Sequence, residues 1–211
     1  LTTLSLASYT LAVGDRYMLK YFLNTDDVGI YSASYNLASE AIQLPVAILL
    51  LATYPIIMET FTRNGEKETS LVLGKIFTLY FIFLTPAIFG IAALSKGIVN
   101  ILLGNSFQAG YIVLPWVSAG IFCFGLTQYF YKPLELREKT KILSILVLLI
   151  AILNIILNLF FIPTFGILGA AYSTLISYVF YLFSTWLVSS KVFTWLFPRQ
   201  TAIKSILSRN A

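Results

Sequence analysis

The sequence predicts an all-α integral membrane protein, a bundle of six transmembrane helices. Three observations predict it. Hydrophobic residues make up 58% of the 211 residues and charged residues only 11%. Mean hydropathy is +0.85. The apolar residues fall into long spans, with almost every charge in the gaps between them. A soluble domain of this size could not keep so much apolar surface from water, so the bilayer is the expected solvent. The runs do not alternate apolar with polar residues, which argues against the strands of a membrane barrel.

About 20 apolar residues cross a bilayer as a helix. The first span runs from Leu1 to about Leu23 and is interrupted by Asp15, Arg16 and Lys20. It opens inside an apolar run without a Met, a charged leader or a small-residue cleavage site. The chain therefore reads as a fragment cut in or just before a membrane helix. The second span, Gly29 to about Ile57, holds Glu40, Pro45 and Pro55. The third, Leu71 to Leu94, holds Pro86 and Gly90, and the fourth, Gly110 to Tyr131, holds Pro115. The fifth, Ile142 to Ile162, carries Asn154 and Asn158, and the sixth runs from Gly166 to Val188. Prolines are compatible with these spans because neighbouring helices satisfy the freed carbonyls. Residues 1–190 form the bundle and residues 191–211 a basic, amphipathic tail. In the tail, Trp195, Leu196, Phe197, Ile203, Ile206 and Leu207 are interspersed with cations. That pattern fits a helix lying on an anionic inner leaflet, or a frayed end.

Charge sets the orientation. One set of connections carries Arg63, Lys67, Lys75, Lys132, Arg137, Lys139 and Lys141, and the tail adds Lys191, Arg199, Lys204 and Arg209. The opposite set has Lys20 and Lys96. The rich side is expected in the cytoplasm, with the C-terminus inside. The net charge of +5 then reports topology rather than nucleic acid. Lys132, Arg137, Lys139 and Lys141 read mainly as orientation charges, with lipid headgroups as secondary partners. A single cysteine, Cys123, excludes an internal disulfide and a thiolate zinc cluster. The absence of histidine removes the commonest general base and metal ligand. No phosphate-cradling glycine loop with its lysine occurs.

Two stretches go beyond hydrophobicity. One runs from Gly14-Asp15-Arg16-Tyr17 through Val28-Gly29-Ile30-Tyr31 to Ala38. The other runs from Asn154-Ile155-Ile156-Leu157-Asn158 through Ile162-Pro163-Thr164-Phe165-Gly166 and Gly169-Ala170-Ala171 to Tyr178. Both resemble the polysaccharide transporter family, the flippases of lipid-linked O-antigen and capsule repeat units. The resemblance covers essentially the whole chain. It implies the C-terminal half of a two-bundle exporter of the multidrug, oligosaccharide-lipid and polysaccharide superfamily, whose N-terminal bundle is a partner not contained in this sequence. It also implies alternating access in a prokaryotic cytoplasmic membrane, with a lipid-linked oligosaccharide as substrate and no enzymatic step. An internal echo, Gly29-Ile30-x-x-Ala33-x-Tyr35 and Gly166-Ile167-x-x-Ala170-x-Tyr172, places a glycine at two expected turns from the outer face.

Charges at membrane depth default to functional hypotheses. Asp15 and Arg16 lie roughly 10–12 Å below the outer end of their span. Arg16, with Lys20 one turn on, would line the cavity and draw a lipid pyrophosphate or an acidic sugar, because its fork donates two parallel bonds to phosphate oxygens. Asp15 would hold Arg16 in place and share in ion coupling. Alternatively, the helix ends near Gly14 and these groups snorkel to the interface. Glu40 sits about 16 Å deep, near the midplane, beside the distortion expected at Pro45. Buried there, it could carry a proton or bind sodium; the other reading is a protonated Glu bonded to a neighbouring helix. Gln43 shares its face. Asn154 and Asn158 are four apart on one face, able to bind sugar hydroxyls or to bond other helices. Gln128, Tyr129 and Tyr131 fit an interfacial aromatic belt better than a sugar platform. No cofactor is expected beyond coupling by H+ or Na+. The reading is a flippase of polyprenyl-pyrophosphate-linked oligosaccharide. Its rivals are a multidrug exporter of the same superfamily, a membrane polymerase and a structural subunit. The exporter rival predicts that Glu40 dominates and Arg16 faces away.

Overall fold

The computed structural model describes residues 13–195, and all its regular structure there is helical. Helix α1 covers 13–22 of the described residues. Helix α2 runs Thr25–Leu102 and a 3-10 helix follows over Asn105–Ile112. Then come α3 (Leu114–Phe130), α4 (Lys132–Leu136), α5 (Thr140–Phe165) and α6 (Ile167–Val192). Helix α2 packs on α3 and on the 3-10 helix, α3 on α6, and α6 on α5. The chain is an all-α, multi-pass membrane protein: α2, α5 and α6 are each long and apolar enough to cross a bilayer. Residues 1–12 and 196–211, with the start of the first span and most of the tail, lie outside the described residues.

Helix α2 runs through the second and third expected spans as two helices that meet at a kink. The polar stretch between them stays helical, supported by the Arg63–Glu59 pair at 3.1 Å, one turn apart. Only Gly65 leaves helical geometry, at φ 79 and ψ −171. That left-handed value is open to glycine and strained for other residues, so Gly65 divides α2 into limbs of 25–64 and 66–102. Asn24 starts the helix by accepting a bond from the Asp27 amide at 2.8 Å, and Asp26 and Asp27 favour the positive end of the helix dipole.

The fourth span is also built differently from the uninterrupted helix expected. The 3-10 helix meets α3 at a bend of 59°. Pro115 sits in the first turn of α3 rather than inside a span, where its missing amide costs nothing. The 17 residues of α3 reach roughly 25 Å, short of the roughly 30 Å hydrocarbon core.

Small and hydroxylated residues let the helices approach. Helix α6 buries Gly169, Ala170, Ala171, Ser173, Thr174 and Ser177 on one side. A methyl group on Gly169 would collide with the Phe161 carbonyl of α5, and one on Gly120 would stand 3.3 Å from the Leu175 Cα of α6. On the other side of the core, Tyr80 donates to the Phe122 carbonyl at 2.9 Å and meets Tyr129 edge-on at 5.4 Å. Tyr129 is fully buried there, so it is core rather than interfacial belt.

Other expectations also change. The glycine echo is not a shared turn: Gly166 turns the chain at φ 59, whereas Gly29 lies inside α2, where a methyl group would stand 3.9 Å from the Phe107 ring. Lys132 is no simple surface charge. It is 7% exposed, bonds Glu135 at 2.7 Å and lies over the Tyr54 ring at 4.8 Å. Arg137 pairs with Glu66, and Ser70 bonds the Thr194 carbonyl at 2.7 Å, tying the foot of the second α2 limb to the rest of the bundle.

Candidate functional site

Asp15 is the centre of a buried polar cluster. Helix α1 continues through Gly14 and Asp15, so the alternative in which Asp15 snorkels to the interface does not hold. The Asp15 carboxylate is 2% exposed and accepts from three helices. Tyr31 of α2 donates at 2.8 Å, Thr174 of α6 at 2.6 Å and the Asn158 amide of α5 at 2.6 Å. Asn158 also donates to Asn154 Oδ1 at 3.1 Å. Both asparagines are buried, at 2% and 0% exposure, which removes them from any sugar-facing surface. Asn158 bonds across to α1, whereas the Asn158–Asn154 bond lies within α5. The Asn158 Oδ1 atom is buried without a donor. Asp15 makes no ion pair among the described residues, so its charge is met by hydroxyl and amide dipoles alone.

A second layer continues the cluster. Tyr35 and Tyr178 place their hydroxyls 3.2 Å apart, one turn beyond Tyr31 and Thr174. The rings of Tyr31 and Tyr35 lie 6.0 Å apart. Tyr31, Tyr35, Thr174 and Tyr178 were missed by the sequence reading. The available signal was their spacing: each pair is four residues apart and so lies on one helix face.

Arg16 points elsewhere. Successive helical residues are about 100° apart around the axis, so Asp15 and Arg16 cannot share a direction. The expectation that Asp15 holds Arg16 is not met. Arg16 instead donates to Asn36 Oδ1 at 2.8 Å, and its guanidinium carbon sits 5.5 Å from the centroid of the Tyr35 ring. Its Nε is buried without a partner.

Asn36 and Glu40 are one turn apart on α2, and Gln43 follows at the next. All three are exposed, and Gln43 donates to Ser39 at 2.8 Å. Lys20 is exposed on α1. Glu40 is therefore not the buried carboxylate expected at that depth. It stands on an open polar stripe running from Arg16 through Asn36 to Gln43. Tyr35 joins the stripe to the buried cluster, touching Arg16 on one side and Tyr178 on the other.

An apolar multi-helix shell around a buried polar cluster defines a polytopic membrane protein. The comparisons make the class specific. Residues 18–209 match the family of the lipid II flippase MurJ, and the chain belongs to that family. It is similar to the probable low-salt glycan biosynthesis flippase Agl15 of Haloferax volcanii, 23% identical over 174 residues, covering 82% of this chain and 37% of that protein. It is also similar to the probable flippase AglR of the same organism, 28% identical over 169 residues, covering 77% of this chain and 34% of the relative. An uncharacterized membrane protein of Methanocaldococcus jannaschii is 25% identical over 137 residues, covering 64% of this chain and 27% of the relative. The chain thus spans about a third of the length of these relatives. No solved structure matches.

Proposed function

We propose that this chain is one half of an ion-coupled flippase that carries a polyprenyl-pyrophosphate-linked oligosaccharide from the inner to the outer leaflet. It works with an N-terminal bundle as a transporter, not an enzyme. The C-terminus lies in the cytoplasm of a prokaryotic cell. Family membership and the named flippase relatives support the substrate class. The observation that carries the mechanism is the division of labour between adjacent residues. Asp15 turns into a buried cluster of oxygens, while Arg16 reaches an open polar stripe.

The stripe suits the substrate head. Arg16 would hold the pyrophosphate with its fork of donors, and Lys20 would add charge at the outer end. Asn36, Glu40 and Gln43 offer partners for sugar hydroxyls, each of which would cost several kcal/mol if taken unpaired through hydrocarbon. The lipid tail stays in the membrane while the sugar crosses along the stripe. The drug-exporter rival expected Arg16 to face away from the cavity; its bond to Asn36 on the open face speaks against that.

The cluster suits a coupling ion. A carboxylate without a countercharge at membrane depth is costly, so a cation or proton arriving at Asp15 is favoured. The donors are hard oxygens from Asp15, Tyr31, Thr174 and Asn154, with the unpartnered Asn158 Oδ1 beside them, which fits Na+ as cargo. A proton would use the carboxylate alone. Loading Asp15 changes what bonds α1 to α2, α5 and α6. It thereby biases the position of Arg16, one residue on, as one bundle rocks against the other.

Complementation tests this. Cells lacking their own repeat-unit flippase would receive the full-length gene, as wild type, Arg16→Ala, Lys20→Ala or Glu40→Gln. Restored surface glycan with wild type and its loss with Arg16→Ala, at equal protein level, is the expected result. Full restoration by Arg16→Ala would remove the headgroup role.

A further inference from the structure

The end of α2 and the 3-10 helix form an open pocket of about 430 Å³ at the surface, lined by Lys96, Gly97, Asn100, Gln108 and Tyr111. It lies well away from the Asp15 cluster in sequence, and none of its lining residues bonds that cluster. Its volume falls within the roughly 300–1,000 Å³ of small-ligand sites.

The pocket is built from three kinds of group. Lys96 brings a full positive charge. It makes no ion pair among the described residues, and its Nζ lies over the Tyr111 ring, 4.9 Å from the centroid. Gln108 donates to the side-chain oxygens of Asn100 at 3.3 Å and Asn105 at 3.2 Å. With those two oxygens engaged, the amide nitrogens of Asn100 and Asn105 are left as donors. Gly97 adds room: a methyl group there would meet nothing within 4 Å. No carboxylate lines the pocket. A lysine, amide donors and a tyrosine without a competing acid form a site for an anion carried on a polar head.

We propose that this pocket binds the anionic headgroup of a membrane amphiphile, a carboxylated sugar or a phosphate. Under the topology proposed above it opens at the outer surface, where flipped substrate emerges; that location of its ligand rests on the flippase reading. The anion contacts Lys96 Nζ, and the amide of Asn100 bonds the atoms around it.

The test is ligand-observed NMR on the full-length protein in phosphatidylcholine nanodiscs, with three probes. These are a glucuronate-containing disaccharide, maltose and inorganic phosphate. Lys96→Gln and Asn100→Ala are compared with wild type, and with Arg16→Ala to set aside the stripe. Binding of the glucuronate disaccharide or of phosphate, absent for maltose, weakened about tenfold by Lys96→Gln and retained in Arg16→Ala, is the expected result. The stronger of the two anions identifies the source. Equal binding of maltose, binding unaffected by Lys96→Gln, or no binding by wild type would overturn the proposal. Because the assay needs no transport, a failure here leaves the flippase reading standing, and a failed complementation leaves a positive result here standing.

Discussion

At the residue scale, the strength of each bond to Asp15 follows from charge. Hydrogen bonds to an ionised group are worth about 1.5–3 kcal/mol, against roughly 0.5–1.5 kcal/mol between neutral groups. Tyr31 donates to the carboxylate, whereas Tyr35 meets only the Tyr178 hydroxyl. Tyr31→Phe should therefore lower unfolding free energy by about 1.5–3 kcal/mol, and Tyr35→Phe by about 0.5–1.5 kcal/mol. Denaturant unfolding of the full-length protein in detergent checks both; equal losses would mean that Asp15 is neutral in the folded state. Asp15, Asn154 and Asn158 were legible as special because polar residues deep in apolar runs are conspicuous and a four-residue spacing fixes a shared face. Their partners were not. A tyrosine or threonine hydroxyl in a membrane helix is indistinguishable by composition from belt or core until another helix brings an acceptor to it. Glu40 was expected to be buried and is exposed, since periodicity places residues on a face without saying what covers that face.

At the element scale, helix approach depends on side chains that are absent. Gly169 stands against the Phe161 carbonyl, a backbone group that cannot swing away. Gly90 of α2 has open space where a methyl group would go. Gly169→Ala should then destabilise by about 1–3 kcal/mol through overpacking. Gly90→Ala should be neutral or stabilising by up to about 1 kcal/mol through helix propensity. Thermal unfolding of the two variants side by side decides this, and equal effects would contradict the close α5–α6 contact. The long apolar helices were readable from hydropathy, but their joints were not. The polar stretch around Arg63 reads as a loop, yet its residues form helix readily and pair one turn apart, so the chain breaks only where Gly65 permits a left-handed turn. Pro115 reads as a residue within the fourth span because the sequence does not announce the 59° bend that makes it a helix start.

At the scale of the whole molecule, two exposed surfaces have opposite character. Asn36, Glu40 and Gln43 present an open polar stripe, while Phe160 and Leu159 of α5 are 67% and 47% exposed and apolar. A lipid-facing surface should be apolar, and a surface turned toward water and a second bundle can be polar. In the full-length protein, cysteine at position 36 or 40 should react with a membrane-impermeant maleimide, and cysteine at 160 should not. Labelling at 160 alone would reverse the assignment of the two faces. Substrate protection at position 36 would tie the stripe to the lipid-linked head.

The central claim is that an ion at Asp15 drives a substrate held by Arg16. It is tested most directly in proteoliposomes of the full-length protein. Flipping of a polyprenyl-pyrophosphate-linked oligosaccharide is measured with an imposed Na+ gradient, a pH gradient or neither, for wild type and Asp15→Asn. The account predicts that one gradient accelerates wild type and that Asp15→Asn, folded and reconstituted equally, flips slowly and at the same rate under all three conditions. Full gradient dependence in Asp15→Asn would contradict it.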